Sequence, residues 1–172
     1  DFAKKQQIRY IQDESNNIIL FADGTCGLEG HEPVVLQGHM DMVCEKDEGC
    51  PIDMDTQGLD LCHDNLCVFA KGTTLGGDDG IAVAYAMALI ADRTIPHPPL
   101  EVIITVDEEV GMLGADVIDV SMLKGRKMIN LDSEDEGIFT VACAGGATAT
   151  ISLNVNRKAV YGPCVRLCVD GL

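Results

Sequence analysis

Six side chains in this 172-residue chain, His39, Asp41, Asp78, Glu108, Glu109 and Asp132, are of types that hold divalent cations or move protons. Most of them arrive in a repeated context. His39-Met40-Asp41 follows the apolar run Pro33–Gly38, Asp107-Glu108-Glu109 follows Leu100–Val106, and Asp132-Ser133-Glu134 follows Lys127–Leu131. A fourth contribution, Gly76-Gly77-Asp78-Asp79-Gly80, stands just before a helical pattern, where glycines allow tight approach and set an acidic side chain into a cleft. His with hard carboxylates, and no Cys at these positions, suits two Zn2+ ions or a similar divalent pair such as Mn2+ or Co2+. A dinuclear hydrolytic site needs one carboxylate spanning both ions, terminal ligands on each, and a bridging water. Spacing alone leaves open which carboxylate spans them.

Each residue also has an ordinary reading when taken singly. Asp78 or Asp79 would serve as a helix N-cap, His39 as a satisfied core histidine, and Glu108-Glu109 as an exposed acidic helix start. The combination outweighs these readings, because apolar runs of this kind predict buried strands. In open α/β sheets, functional groups gather beyond the carboxyl ends of parallel strands. A dense anionic cluster there is costly unless cations neutralise it.

The elements that must position these groups are legible in outline. Asp1–Arg9 reads as the end of a helix, and Asn17–Ala22, Pro33–Gly38, Leu66–Ala70, Leu100–Val106 and Lys127–Leu131 read as strands. Ile81–Ala91 reads as a helix with Ile81, Tyr85, Ala88 and Leu89 at helical spacing. Glu109–Asp116 is expected to turn into a helix, with a second short one near Val120–Lys124. Cys44–Cys62 is loop-like, and the cluster Pro96–Pro99 forces a loop. After Gly145-Gly146 the pattern changes: Thr148–Val155 and Cys164–Val169 alternate as half-exposed antiparallel strands do. The expected architecture is α/β, a mixed and mostly parallel sheet flanked by helices. Residues 1–145 would form one domain, and residues 146–172 would supply the first strands of a second, α+β domain.

Composition narrows the functional classes. Lys and Arg number 12 against 28 Asp and Glu, a formal net charge of −16, which repels nucleic acid and anionic membrane surfaces. No apolar run approaches the ~20 residues that span a bilayer. Aromatic residues make up only 4% and Trp is absent, so the core must rest on Val, Ile, Leu, Met and Ala. The charged opening Asp1–Tyr10 is no signal peptide, although a chain that starts on Asp leaves room for an upstream segment. Eight Cys carry no CxxC pair. A zinc knuckle from Cys44, Cys50, Cys62, His63 and Cys67 has the wrong spacing, and reduced thiols of a cytoplasmic protein are the favoured reading.

The runs His39–Val43, Gly72–Ala82, Thr105–Met112, Asn130–Glu134 and Ala142–Gly146 together resemble the aminoacyl-histidine dipeptidases. These carnosinase-like enzymes lie within the wider zinc dipeptidase and deacylase superfamily. Gly80, where the superfamily usually has Lys, and the segment Leu131–Glu134 point to the Xaa-His branch. The resemblance implies hydrolysis of Xaa-His dipeptides, including the beta-alanyl-histidine type, at a dinuclear zinc site with a bridging hydroxide. It implies that His39 and Asp132 hold one zinc, that Glu109 holds the other, and that Asp78 bridges them. Asp41 would hold the His39 imidazole, Glu108 would be the general base, and Asp79 would merely follow the bridging residue.

The same resemblance implies a late His ligand and a lid domain that closes on substrate and pairs two subunits. Neither precedes Leu172, so the chain is expected to be a portion of a longer enzyme and to lack activity alone. Two other readings compete. One is a different hydrolase of the superfamily, an aminotripeptidase or an N-acyl amino acid deacylase. The other, for these residues by themselves, is a non-catalytic metal-binding module.

Overall fold

Leu100–Thr105 (β6 in chain order) is buried at every position, which a strand achieves only when both its neighbours and both its faces are covered. The computed structural model describes residues 1–133, 137–142, 145, 149–156, 159, 161–163 and 165. In it β6 lies in the middle of a five-stranded sheet ordered β1-β2-β6-β3-β7. The flanking strands are β1 (Arg9–Gln12), β2 (Ile18–Ala22), β3 (Val34–His39) and β7 (Lys127–Asn130). β3 pairs in parallel with both β6 and β7, β2 runs antiparallel to β6, and β1 runs antiparallel to β2. Only β2 therefore opposes the common direction, and the sheet is mixed and mostly parallel as expected. A separate two-stranded ladder joins β4 (Leu61–His63) to β5 (Val68–Ala70). The sequence reading missed β1 and β4. It also began β5 early, at Leu66, because the Asp64 carboxylate takes the N–H groups of Leu66 and Cys67 into a turn.

The core lies where α2 (Gly77–Ala91) packs against β3, with α1 (Phe2–Gln6) touching α2. Leu20, Leu36, Val102 and Ile104 meet Ala86 and Ile90 there. The buried stripe of α2 is Ala82, Ala86 and Ile90, not the expected Ile81–Tyr85–Ala88–Leu89 face, and Ile81 and Tyr85 are 50% and 57% exposed. The cause is Asp79. Its carboxylate turns inward and accepts the His39 N–H, and positions three, seven and eleven residues further on must follow it to the sheet.

Two further expectations fail for stated reasons. The helix expected over Glu109–Asp116 begins only at Leu113, as α3 (Leu113–Val117), because residues 107–112 form a loop. Val120–Lys124 forms no helix. The N–H of Leu123 reaches Val120 in a single turn, and the N–H groups of Lys124 and Gly125 go to the buried carboxylate of Glu101 at 2.9–3.0 Å.

The chain divides into two compact units, Asp1–Gly137 and Ile138–Leu172. In the second, residues 149–156 are exposed and form no strand, although the sequence alternates there. Alternation yields a strand only where a ladder partner takes its N–H and C=O groups. The expected strand Cys164–Val169 lies, apart from Val165, outside the described residues.

Glu101 accepts the N–H groups of Lys124 and Gly125 just ahead of β7, so it sets where that strand begins. Replacing it by Ala leaves those N–H groups without partners. Glu101→Ala is expected to lower the free energy of unfolding by about 1–3 kcal/mol, read from the urea midpoint at unchanged slope.

Candidate functional site

The parallel direction of β3, β6 and β7 brings their carboxyl ends to one edge of the sheet. His39 closes β3 opposite Thr105, the end of β6, and Gln37 pairs with Asn130, the end of β7. The chain leaves β3 and β7 within two residues of Asp41 and Asp132, and leaves β6 three and four residues before Glu108 and Glu109. The N–H of Met40 still bonds to Thr105 O, and the N–H of Leu131 to Gln37 O, which holds Asp41 and Asp132 to this edge.

His39 is 1% exposed and forms the hub. Its Nδ1 lies 3.0 Å from the carbonyl oxygen of Asp41 and 3.4 Å from Asp41 Oδ1. Both partners accept hydrogen bonds, so Nδ1 carries the proton and the lone pair of Nε2 faces outward. What Nε2 meets there is Asp78 Oδ1 at 3.1 Å and Glu108 Oε2 at 3.9 Å. A lone pair facing carboxylate oxygens is stable only with a cation or a proton between them. Two donors on one tetrahedral zinc stand roughly 3.3 Å apart, so the spacing of His39 and Asp78 fits shared coordination.

Two overlapping donor groups result, His39–Asp78–Asp132 and His39–Glu108–Glu109, each with ligand atoms mutually within 4.8 Å. All four residues expected to hold metal, and Glu108 with them, fall in these groups, while Asp41 stands behind His39. Only His39 is common to both groups; Asp78, expected to bridge, belongs to the first alone. Among the described residues no Lys or Arg forms an ion pair with any of these carboxylates.

The electrostatics register that shortage of positive charge. Burial works against a charged His39, yet the Asp78 hydrogen bond and the charges of Asp132 and Asp41 prevail and raise its pKa. Desolvation raises Asp132, aided by Asp78, and it raises Glu108, aided by Asp132, Glu109 and Asp41. Each of these shifts favours an added proton, which is how such a cluster responds when no cation is supplied. Asp41 goes the other way. Burial would raise it, but the backbone N–H groups of Glu108 and Glu109 hold it low and ionised. The donor set therefore fits divalent metal.

Asp78 reaches the hub because its neighbour is anchored. Asp79 is 1% exposed, and its Oδ2 accepts the His39 N–H at 3.3 Å. Gly38 makes room for it: a Cβ there would collide with the Asp79 carboxylate and lie 2.5 Å from Ala82 Cβ. A cleft of about 200 Å³ opens beside the cluster, between Asp78, Ile81, Leu131, Asp132 and Ser133. A larger hollow of about 330 Å³, among Glu45–Asp47 and Gly72–Thr74, contains none of the site residues. The sequence reading missed the anchoring role of Asp79 and the part played by Gly38. A glycine inside a strand is nonetheless a known mark of close approach. Among the described residues no cysteine enters either donor group, and Cys44, Cys50, Cys62 and Cys67 are free thiols.

The profile of Peptidase family M20/M25/M40 matches residues 35–154. Cytosol non-specific dipeptidase of Escherichia coli (strain K12) is 40% identical over 159 residues, 92% of this chain and 33% of that protein. Peptidase T of Vibrio cholerae is 36% identical over 98 residues, 54% of this chain and 24% of that protein. Among solved structures, the aminoacylhistidine dipeptidase of Vibrio alginolyticus superposes with a TM-score of 0.74 at 40% identity. That match covers 79% of this chain and 28% of the other. The chain thus spans a third or less of the length of these relatives.

Because Gly38 is the seat of Asp79, Gly38→Ala is expected to cost about 1–3 kcal/mol of stability. It should also lower the zinc retained after dialysis, since the Asp78 side chain is displaced with its neighbour. Unfolding midpoints and elemental analysis read the two effects.

Proposed function

The chain belongs to Peptidase family M20/M25/M40, and we propose that it supplies most of the metal-binding half of a dipeptidase that cleaves Xaa-His dipeptides. The observation that carries the reading is the pair of donor groups sharing His39 at the carboxyl edge of three parallel strands, with no basic partner among the described residues. Support for the substrate comes from the 40% identity to the aminoacylhistidine dipeptidase of V. alginolyticus. The E. coli relative at the same identity carries a broader, non-specific description.

On this reading His39 and Asp132 would hold one ion and Glu109 the other, and Asp78, 3.1 Å from His39 Nε2, would serve both. Bound zinc would polarise the scissile carbonyl and acidify a water at the site. Glu108, 3.9 Å from His39 Nε2 and a third exposed, would take the proton of the attacking water. It would then deliver that proton to the departing amine. Asp41 keeps the proton of His39 on Nδ1, so that Nε2 offers its lone pair. Residues 146–172 would begin a lid, and two subunits would pair through it. Among the described residues no helix is long and apolar enough to cross a membrane. By analogy with the cytosol dipeptidase we place the enzyme in the cytoplasm.

In the complete enzyme loaded with zinc, Glu108→Gln is expected to keep its metal and lose ~10²–10⁴ in turnover. Near-normal kcat at full zinc occupancy refutes the base assignment. A substrate panel tests specificity. The reading expects beta-alanyl-histidine and other Xaa-His dipeptides to be cleaved with kcat/KM above that for tripeptides, acetylated amino acids and dipeptides lacking His. Preference for tripeptides would move the chain to the Peptidase T side, and equal rates on all dipeptides to the non-specific one.

A further inference from the structure

Asn17 lies far in sequence from every motif described above, yet it is 1% exposed. It sits at the turn between β1 and β2, and all of its side-chain amide hydrogens are used. Nδ2 donates to Asp13 Oδ2 at 2.7 Å and to the carbonyl of Gly114 at 3.0 Å, while Oδ1 accepts the Val106 N–H at 3.1 Å. Val106 and Gly114 are the two stems of the loop that carries Glu108 and Glu109. Their backbones also bond directly, Gly114 N–H to Val106 O at 3.1 Å.

Within the loop the N–H groups of Gly111 and Met112 bond to Glu108 O and that of Leu113 to Asp107 O, and contacts from outside complete its support. Asp107 and Met112 hold left-handed backbones at φ 56° and 58°, a conformation uncommon for side-chain-bearing residues and more costly for Met than for Asp. Near its tip the N–H of Glu109 bonds to Asp41 Oδ2 at 3.2 Å. At its base Asn17 ties both stems to a third element, the hairpin turn, which is itself fixed by Asp13 accepting the N–H groups of Ser15 and Asn17. Gly114 fits this clamp closely, since a Cβ there would collide with Val106 O and lie 2.5 Å from Asn17 Oδ1.

We infer that Asn17 is a positioning residue that fixes the Val106–Gly114 loop and thereby the placement of Glu108 and Glu109. The inference rests on the proposed roles of those two glutamates. A misplacement of about 1 Å in a reacting group costs ~10²-fold in rate, so a loosened loop should act on kcat more than on KM.

The test uses the complete, zinc-loaded enzyme with Asn17→Ala and Gly114→Ala. Thr25→Val serves as the stability control; it removes a buried hydroxyl that bonds to Ile95 and His97, ahead of the other end of β6. Amide hydrogen exchange should speed up across residues 106–114 in both variants and stay unchanged there in the control. Turnover should fall about 10- to 100-fold in both, with KM within a few fold, and the double variant should lose less than the product of the two. Unchanged exchange in that loop, or a loss of kcat no greater than in Thr25→Val, overturns the inference. If Asn17→Ala fails to fold, Asn17→Asp decides: it keeps an oxygen for the Val106 N–H but removes the amide hydrogens given to Asp13 and Gly114, and unchanged exchange across residues 106–114 in that variant overturns the inference. Glu108→Gln measured alongside separates the two claims. If it retains turnover, the proposed role of Glu108 falls, while the exchange data still decide whether Asn17 holds the loop.

Discussion

The structure turns on negative charge gathered without a basic partner. Asp78, Glu108, Glu109 and Asp132 converge on one buried imidazole, and among the described residues no Lys or Arg pairs with them. Coulomb repulsion between carboxylates a few ångströms apart in a half-buried site amounts to several kcal/mol at an effective dielectric constant of about 20. A fold tolerates such a cluster only if something positive enters it or if protons are taken up. The raised pKa values of His39, Asp132 and Glu108 express the second outcome, and the outward lone pair of His39 Nε2 is prepared for the first.

The rest of the unit Asp1–Gly137 holds that edge rigid while keeping the apolar core away from it. Val102, with no exposed surface, and Ile104 lie in β6 behind the edge, and the side chains that reach the edge come from positions at or just past the strand ends. Asp79 connects core and site. Its burial would be unfavourable if it did not accept backbone N–H groups, and in accepting that of His39 it fixes how α2 is rotated on the sheet. The exposed flank of Ile81 and Tyr85 follows from the same constraint, since a helix cannot bury both faces against one sheet.

Sequence patterns revealed what depends on local composition. The runs before His39 and Asp107 are largely apolar and their strands are buried as expected. The run before Asp132 was read as a buried strand too, but β7 carries Lys127 and Asn130, stands last in the strand order and is exposed along its length. The helix face was misread because apolar periodicity in an Ala-rich segment is shallow, so one polar contact by Asp79 decided the rotation. The helix over Val120–Lys124 was misread because Glu101, some twenty residues away, competes for its N–H groups. Asn17 left no local mark at all. The sequence reading only opened a strand on Asn17, and that its amide spans to Val106 and Gly114 is a property of the folded chain alone.

Asp41 shows why these dependencies act as one device. One of its oxygens faces His39 Nδ1 at 3.4 Å, and the other accepts the N–H of Glu109 at 3.2 Å. A single carboxylate thus sets the direction of the imidazole lone pair and the height of the loop that bears the second donor group. The backbone N–H groups that lower its pKa belong to the glutamates being positioned, so the loop in place and the ionised acid favour one another. Its negative charge in turn favours the Nδ1–H form of the ring. The imidazole and the Glu108–Glu109 loop are therefore not independent groups brought together by chance at a sheet edge. They are coupled through one side chain, and displacement of either withdraws the interaction that keeps the other in position.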